Sequence, residues 1–240
     1  MTISFPVRSA IAAAAACMIA LPASAAIQKY SITFSELNNS GVTGSGKLTL
    51  DTTANTLRVN YTAMNLDLGQ HPQHIHGLLD AGPGSAAADS TTPTLANDSD
   101  GDGFLETIEG VPAYGDVLLS LFETPGVAGT FPTVDVTGMI NYDVTFDLND
   151  SGIFTPSPAT AITYGPADLL PLEFREIVIH GRDVAANVGG GQFEVDGTQP
   201  AGFVALLPVA AAEITAVPEP GLVGLFGLGA VALMYGRRRS

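Results

Sequence analysis

The chain has 240 residues, a formal charge of −15, four histidines and a single cysteine, Cys17. So acidic a chain repels phosphate backbones and anionic headgroups and attracts cations, which excludes nucleic acid as a partner. With one cysteine there is no disulfide, and without the N-terminal segment there is neither a thiolate ligand nor a thiol nucleophile.

The chain opens on a basic residue, Arg8, followed by the apolar, alanine-rich stretch Ile11 to Leu21 and the small-x-small pattern Ala23-Ser24-Ala25. That order predicts a signal peptide over residues 1–25 and a mature chain beginning near Ala26, after loss of Cys17. A lipoprotein reading of Cys17 is weak because Ala14-Ala15-Ala16 lacks the usual leucine. Setting aside Arg8, Arg237, Arg238, Arg239 and Glu219 at the two ends leaves 5 basic and 23 acidic residues, a net charge of −18.

From Ala26 the pattern is β. Lys29 to Phe34, Gly46 to Leu50 and Thr56 to Thr62 alternate apolar and polar residues, with turn residues at Asn38 to Gly41 and at Asp51 to Asn55. This predicts an antiparallel meander. Next comes Gln70-His71-Pro72-Gln73-His74-Ile75-His76-Gly77, which holds three of the four histidines. On a strand, His74 and His76 would face the same side and set two imidazoles next to each other, a geometry that suits copper or zinc. The same pair could equally be a hydrogen-bonded structural element or face solvent. His71 is expected on the opposite face, or off the strand, because of Pro72 and the odd spacing.

An insertion over about residues 77–115 carries few strand signals, and a loop of that length is functional or disordered. Within it, Asp98 to Glu109 fits the twelve-residue calcium-loop template. Asp98, Asp100 and Asp102 fall at positions 1, 3 and 5, Gly103 at the sharp turn, the Phe104 carbonyl at position 7 and Glu109 at the bidentate position 12. The alternative is an acidic loop of Asx turns facing solvent. Neither flank reads as an amphipathic helix.

Strand signals resume at Val117 to Leu121 and over Gly138 to Leu148; Ala167 to Leu172 reads as a helical turn. Arg175 to Gly181 reads as a buried strand ending in His180, and Phe203 to Ile214 as the last strand of the body. The glycine-rich Val188 to Gly191 has no lysine and no following helix, so it is not a phosphate cradle. No Gly-x-Ser-x-Gly elbow and no zincin pattern occurs, which ranks a hydrolase last.

At the C-terminus, Val217-Pro218-Glu219-Pro220 precedes the apolar stretch Gly221 to Tyr235 and then Arg237-Arg238-Arg239-Ser240. The apolar stretch falls short of the ~20 residues of a comfortable span, helped by snorkelling arginines that would stay cytoplasmic. Together these parts resemble a PEP-CTERM sorting signal over residues 217–240, with Pro218, Glu219 and Pro220 as the motif. The resemblance implies export across the inner membrane by the secretion machinery, transient anchoring by the C-terminal helix, processing by an exosortase-type membrane protease, and a cell-surface or extracellular destination, with the extracellular polysaccharide matrix as a candidate partner.

The body, residues 26–216, resembles the Cu/Zn superoxide dismutase-like and CHRD-type β-sandwich domains. The residues that carry this are His74-Ile75-His76-Gly77, Ile177-Val178-Ile179-His180-Gly181 and Pro208 to Ile214. It implies an all-β, antiparallel Greek-key sandwich or flattened barrel with His74, His76 and His180 as copper ligands. There are departures. No histidine lies between Gly77 and Ile179, so the bridging histidine and the zinc site of that family are absent, and Pro208 stands where the family's substrate-steering arginine would be. The expected function is a surface-sorted module that binds Ca²⁺ and has a candidate copper site but no catalytic residues. The alternative is a copper-dependent, superoxide dismutase-like redox enzyme.

Overall fold

The computed structural model describes residues 26–190 and 194–218. The expected signal peptide, the apolar tail and its arginines, and Glu219 and Pro220 of the sorting motif lie outside the described residues. The first half contains β1 (Ile27–Glu36), β2 (Thr43–Asp51), β3 (Thr56–Met64), β4 (Gly69–Gln70), β5 (Gln73–Leu79), β6 (Ala87–Ala88) and α1 (Thr107–Tyr114). The second contains β7 (Asp116–Ser120), β8 (Thr133–Val134), β9 (Met139–Asp147), α2 (Pro166–Leu169), β10 (Arg175–Val184), β11 (Gly202–Glu213) and β12 (Thr215–Ala216).

The alternation read from the sequence becomes an antiparallel β1–β2–β3–β9 sheet, with β12 on β1. Along β3, Leu57, Val59, Tyr61 and Ala63 are buried while Arg58, Asn60 and Met64 face outward, as a half-buried strand requires. Asn38, Asn39 and Asn55 take the left-handed conformation in the connecting turns, where a short amide side chain tolerates positive φ.

A second sheet runs β7–β5–β10–β11. Strand β1 joins the two: residues up to Phe34 pair with β2, while Ser35 and Glu36 pair with Ala211 and Ala210 of β11. The protein is an antiparallel β-sandwich, and its main core fills the space between the sheets. Ile75, Ile177, Ile179 and Leu119 contribute to that core from the second sheet, opposite Leu48, Leu57, Val59 and Phe146 from the first. Successive strand residues point to opposite faces. So Val178 and Ala211, neighbours of these isoleucines and alanines, leave the main core and join Leu37, Leu105 and Tyr114 in a smaller cluster outside the second sheet.

That outer cluster explains the insertion. The last part of the insertion, from Leu105 to Tyr114, packs on the outer face of the second sheet and includes α1. Neither flank of the acidic loop reads as an amphipathic helix, yet a short helix forms at its end. The eight-residue α1 overlaps the end of the loop, with Glu106 at its N-cap donating its N–H to the Glu109 carboxylate. Gly110 and Pro112 inside it hide it from a propensity reading. It is held by tertiary contact rather than by intrinsic preference, since so short a helix is marginal alone.

Arg175 is a buried cation at the opposite end of the second sheet. Its guanidinium donates to the carbonyls of Asp168, Leu169 and Leu78 at 2.7, 3.2 and 3.1 Å, tying α2 to β5 and β10. Burial lowers its pKa, partly offset by the charge of Asp168.

Candidate metal sites

His74 and His76 lie on β5 and point to the same face, as the strand period predicts. His180 reaches them from β10, the next strand. Directly opposite partners across these strands are His74 with Val178 and His76 with Glu176, so residues 176, 178 and 180 share the face of the histidine pair. The ladder shifts register on both sides of His180, and such irregularities re-aim side chains near functional positions. The ring centroids are 5.5 Å apart for His74–His76, 5.4 Å for His74–His180 and 6.0 Å for His76–His180. One nitrogen from each lies within 4.8 Å of the others.

The second nitrogen of two rings is already committed. His76 Nδ1 is 3.0 Å from the Gly115 carbonyl oxygen and His180 Nδ1 is 2.7 Å from that of Leu206. A carbonyl only accepts, so each Nδ1 carries the hydrogen and each Nε2 presents a lone pair. Those two Nε2 atoms and His74 Nδ1 are buried without a protein partner. Burial, with the neighbouring rings, holds His74 far below the ordinary imidazole range. Burial and His180 bring His76 down to about 3, partly offset by its bond to Gly115 and the charge of Asp116. Burial brings His180 to about 4 against its bond to Leu206. The three rings are therefore neutral at pH 7. Three unpartnered, neutral nitrogen donors, two of them on rings fixed from behind by carbonyls, fit a transition metal with an open coordination position.

The open side faces a cavity of about 210 Å³, walled by Ile108, Val111 and Leu206 among others. Among the described residues, no lysine or arginine lines it. His71 takes no part. Its Nδ1 and Nε2 each sit 2.8 Å from a backbone carbonyl, of His180 and Asp67 respectively, and its ring packs on Phe203. The expectation that it points away from the pair agrees with this placement.

In the acidic loop, Asp98 accepts the N–H groups of Gly101 and Gly103 at 2.7 and 2.9 Å, curling the chain around its carboxylate. Asp102 accepts from Phe104, and Gly101 and Gly103 both have positive φ at this tight turn. Glu109 reaches back across the loop to the N–H of Ser99 at 2.6 Å and to that of Glu106 at 3.1 Å. Carboxylate oxygens of Asp98, Asp100 and Glu109, and separately of Asp100, Asp102 and Glu106, lie within 4.8 Å of one another. Three of the expected ligands, Asp98, Asp100 and Glu109, thus form one cluster, and Asp102 joins a second one with Asp100 and Glu106. Phe104, expected to contribute its carbonyl, lies on the same turn.

Glu106 is the residue the sequence reading missed. It stands at position 9 of the same twelve-residue template, so the signal was present. Its carboxyl is 0 % exposed, faces the aspartates and has no hydrogen-bond partner on either oxygen. Burial, the contact with Glu109 and the charges of Asp102, Glu109 and Asp100 raise its pKa to about 9. Burial alone would also raise Glu109, but hydrogen bonds from Glu106 and Ser99 outweigh it and bring that carboxyl to about 2. A buried carboxyl without a donor is costly. A divalent cation among these oxygens would remove that cost.

Residues 216–239 match the model of the PEP-CTERM protein-sorting motif. The motif implies an exported, surface-sorted protein with a C-terminal anchoring signal, processed by an exosortase, a membrane protease. No curated protein matches the chain. Among the described residues no helix is long and apolar enough to cross a membrane, and the apolar part of the matched segment lies outside them.

Proposed function

We propose that this exported, surface-sorted protein is a metal-binding β-sandwich module of the superoxide dismutase-like, Greek-key kind, structural or matrix-associated rather than catalytic. Calcium would be held by Asp98, Asp100, Asp102, the Phe104 carbonyl and Glu109, with Glu106 added, and copper by His74, His76 and His180. The observation that carries this reading is the set of three buried, unpartnered imidazole nitrogens on rings that bring one nitrogen each within 4.8 Å of the others. Bound copper would supply one-electron redox chemistry there; the chain's own part is to hold three neutral donors and exclude bulk water.

Against turnover of superoxide stands the charge around the site. An anion is drawn in by positive potential, and the cavity walls carry none. The open face of the site still favours one second reading, a copper-dependent redox enzyme. A superoxide assay on copper-loaded protein decides between them: activity no higher than that of free copper and of the His74→Ala variant supports the structural module, and activity well above both supports the enzyme.

A further inference from the structure

The two candidate sites are far apart in role but share one short helix. Both ends of α1 reach a carbonyl that orients a histidine. At its start, Thr107 Oγ1 donates to the Leu206 carbonyl at 2.6 Å, and the same oxygen accepts His180 Nδ1 at 2.7 Å. At its end, the Gly115 N–H donates to the Val111 carbonyl, and Gly115 offers its own carbonyl to His76 Nδ1. Between them Tyr114 packs on the His76 ring with centroids 4.5 Å apart, and Ile108 and Val111 wall the cavity over the three imidazoles.

The start of α1 is also the end of the acidic loop. Glu106 caps the helix and Glu109 lies in its first turn. With eight residues and a proline inside that supplies no N–H, α1 cannot order itself. These two carboxyl groups are among the anchors of its N-terminus, and that of Glu106 is buried and without a partner in the absence of a cation.

We infer that calcium in the 98–109 loop sets the affinity of the histidine centre for its metal, by fixing α1 and with it the Leu206 and Gly115 carbonyls that aim His180 and His76. This rests on the two metal readings above. The coupling needs no change of ligands at the histidines. It requires only that the calcium-bound loop favours the arrangement of α1 in which both carbonyls are in place, since a ligand shifts an equilibrium only by its differential affinity for the two states.

The test is a Cu²⁺ titration of the full-length chain in mild detergent, with glycine as competing ligand, in calcium-free buffer and in 1 mM calcium. Calcium is expected to tighten copper binding by a factor of roughly 5 to 100. Copper should tighten calcium binding by the same factor, because the coupling is reciprocal. The Asp98→Asn/Asp100→Asn variant should bind copper as the calcium-free wild type does, whether or not calcium is present. Thr107→Val, which keeps every metal ligand, should reduce the factor while still taking up calcium. Calcium uptake with unchanged copper affinity overturns the coupling and leaves both sites standing. Absence of calcium uptake, or copper binding unaffected by His76→Ala, overturns instead the site readings beneath it.

Discussion

Glu106 and Glu109, one turn apart at the start of α1, hold opposite protonation states. Glu109 takes the Glu106 N–H and the Ser99 N–H on its carboxylate and titrates at about 2, while the Glu106 carboxyl has no donor and titrates at about 9. At neutral pH without a cation, Glu106 therefore carries a proton. A cation drawing on that carboxyl must displace it. Calcium uptake at pH 7 should release close to one proton per ion, read by calorimetry in buffers of different ionisation enthalpy. In Glu106→Gln the release should vanish and calcium affinity should fall, on the order of tenfold or more. Uptake with no proton released in the wild type would remove Glu106 from the site.

A second buried carboxyl, Glu176, makes stability depend on pH in the opposite direction from most acids. It lies opposite His76 and Glu213 in the second sheet, accepts a short hydrogen bond from Thr92, and is pushed to about 8 by burial and by the charges of Glu213 and Asp89. A raised folded-state pKa means that its contribution to stability is fully present below the unfolded value and is lost as pH rises through about 8. The loss amounts to roughly 3–5 kcal/mol at the upper end. Glu176→Gln should flatten this slope and be the more stable protein at pH 9, by chemical denaturation. Equal slopes for the two proteins would contradict the assignment.

The histidines act at the acid end. Their folded-state values are depressed, to about 3 for His76 and about 4 for His180. Their contribution to the metal-free protein is thus present above the ordinary imidazole pKa and lost as pH falls through about 4. Metal-free wild type should lose stability from about pH 6.5 downward. The His76→Phe variant should lose less over the same range, measured by thermal melting.

Gly115 joins helix to strand where no other residue fits. Its φ is +84°, and a Cβ there would stand 2.1 Å from the Gly77 carbonyl carbon. Gly115→Ala should cost about 2–4 kcal/mol in stability, from backbone strain together with overlap against β5. It should also displace the carbonyl that orients His76, weakening copper binding at least tenfold while calcium is still taken up.

Much of this was legible in the residues. The period-2 runs of β1, β2, β3 and β9 gave the meander, because each strand is buried on one face only, and His74 and His76 share a face for the same geometric reason. The acidic loop was legible from its spacing, though Glu106 was passed over. The position of the loop was not legible. Folding of Leu105 to Tyr114 onto the outer face of the second sheet depends on long-range contacts, such as Asn38 bonding Leu105 on one side and Pro208 on the other. No local pattern announces these. The helix α1 was hidden for a similar reason: Gly110 and Pro112 lower its propensity, and Leu105, Val178 and Ala211 supply the packing that overrides it. The link between the acidic loop and the histidine centre through α1 is therefore a property of the fold alone.

The most direct test of the central claim is the metal content of the full-length chain. Protein exposed to equimolar calcium and copper, then freed of loose ions by gel filtration, should carry one calcium and one copper by elemental analysis. The Asp98→Asn/Asp100→Asn variant should lose the calcium, and the His74→Ala/His180→Ala variant should lose the copper. Protein that retains neither metal, or that retains both in both variants, would contradict a metal-binding module built on these residues.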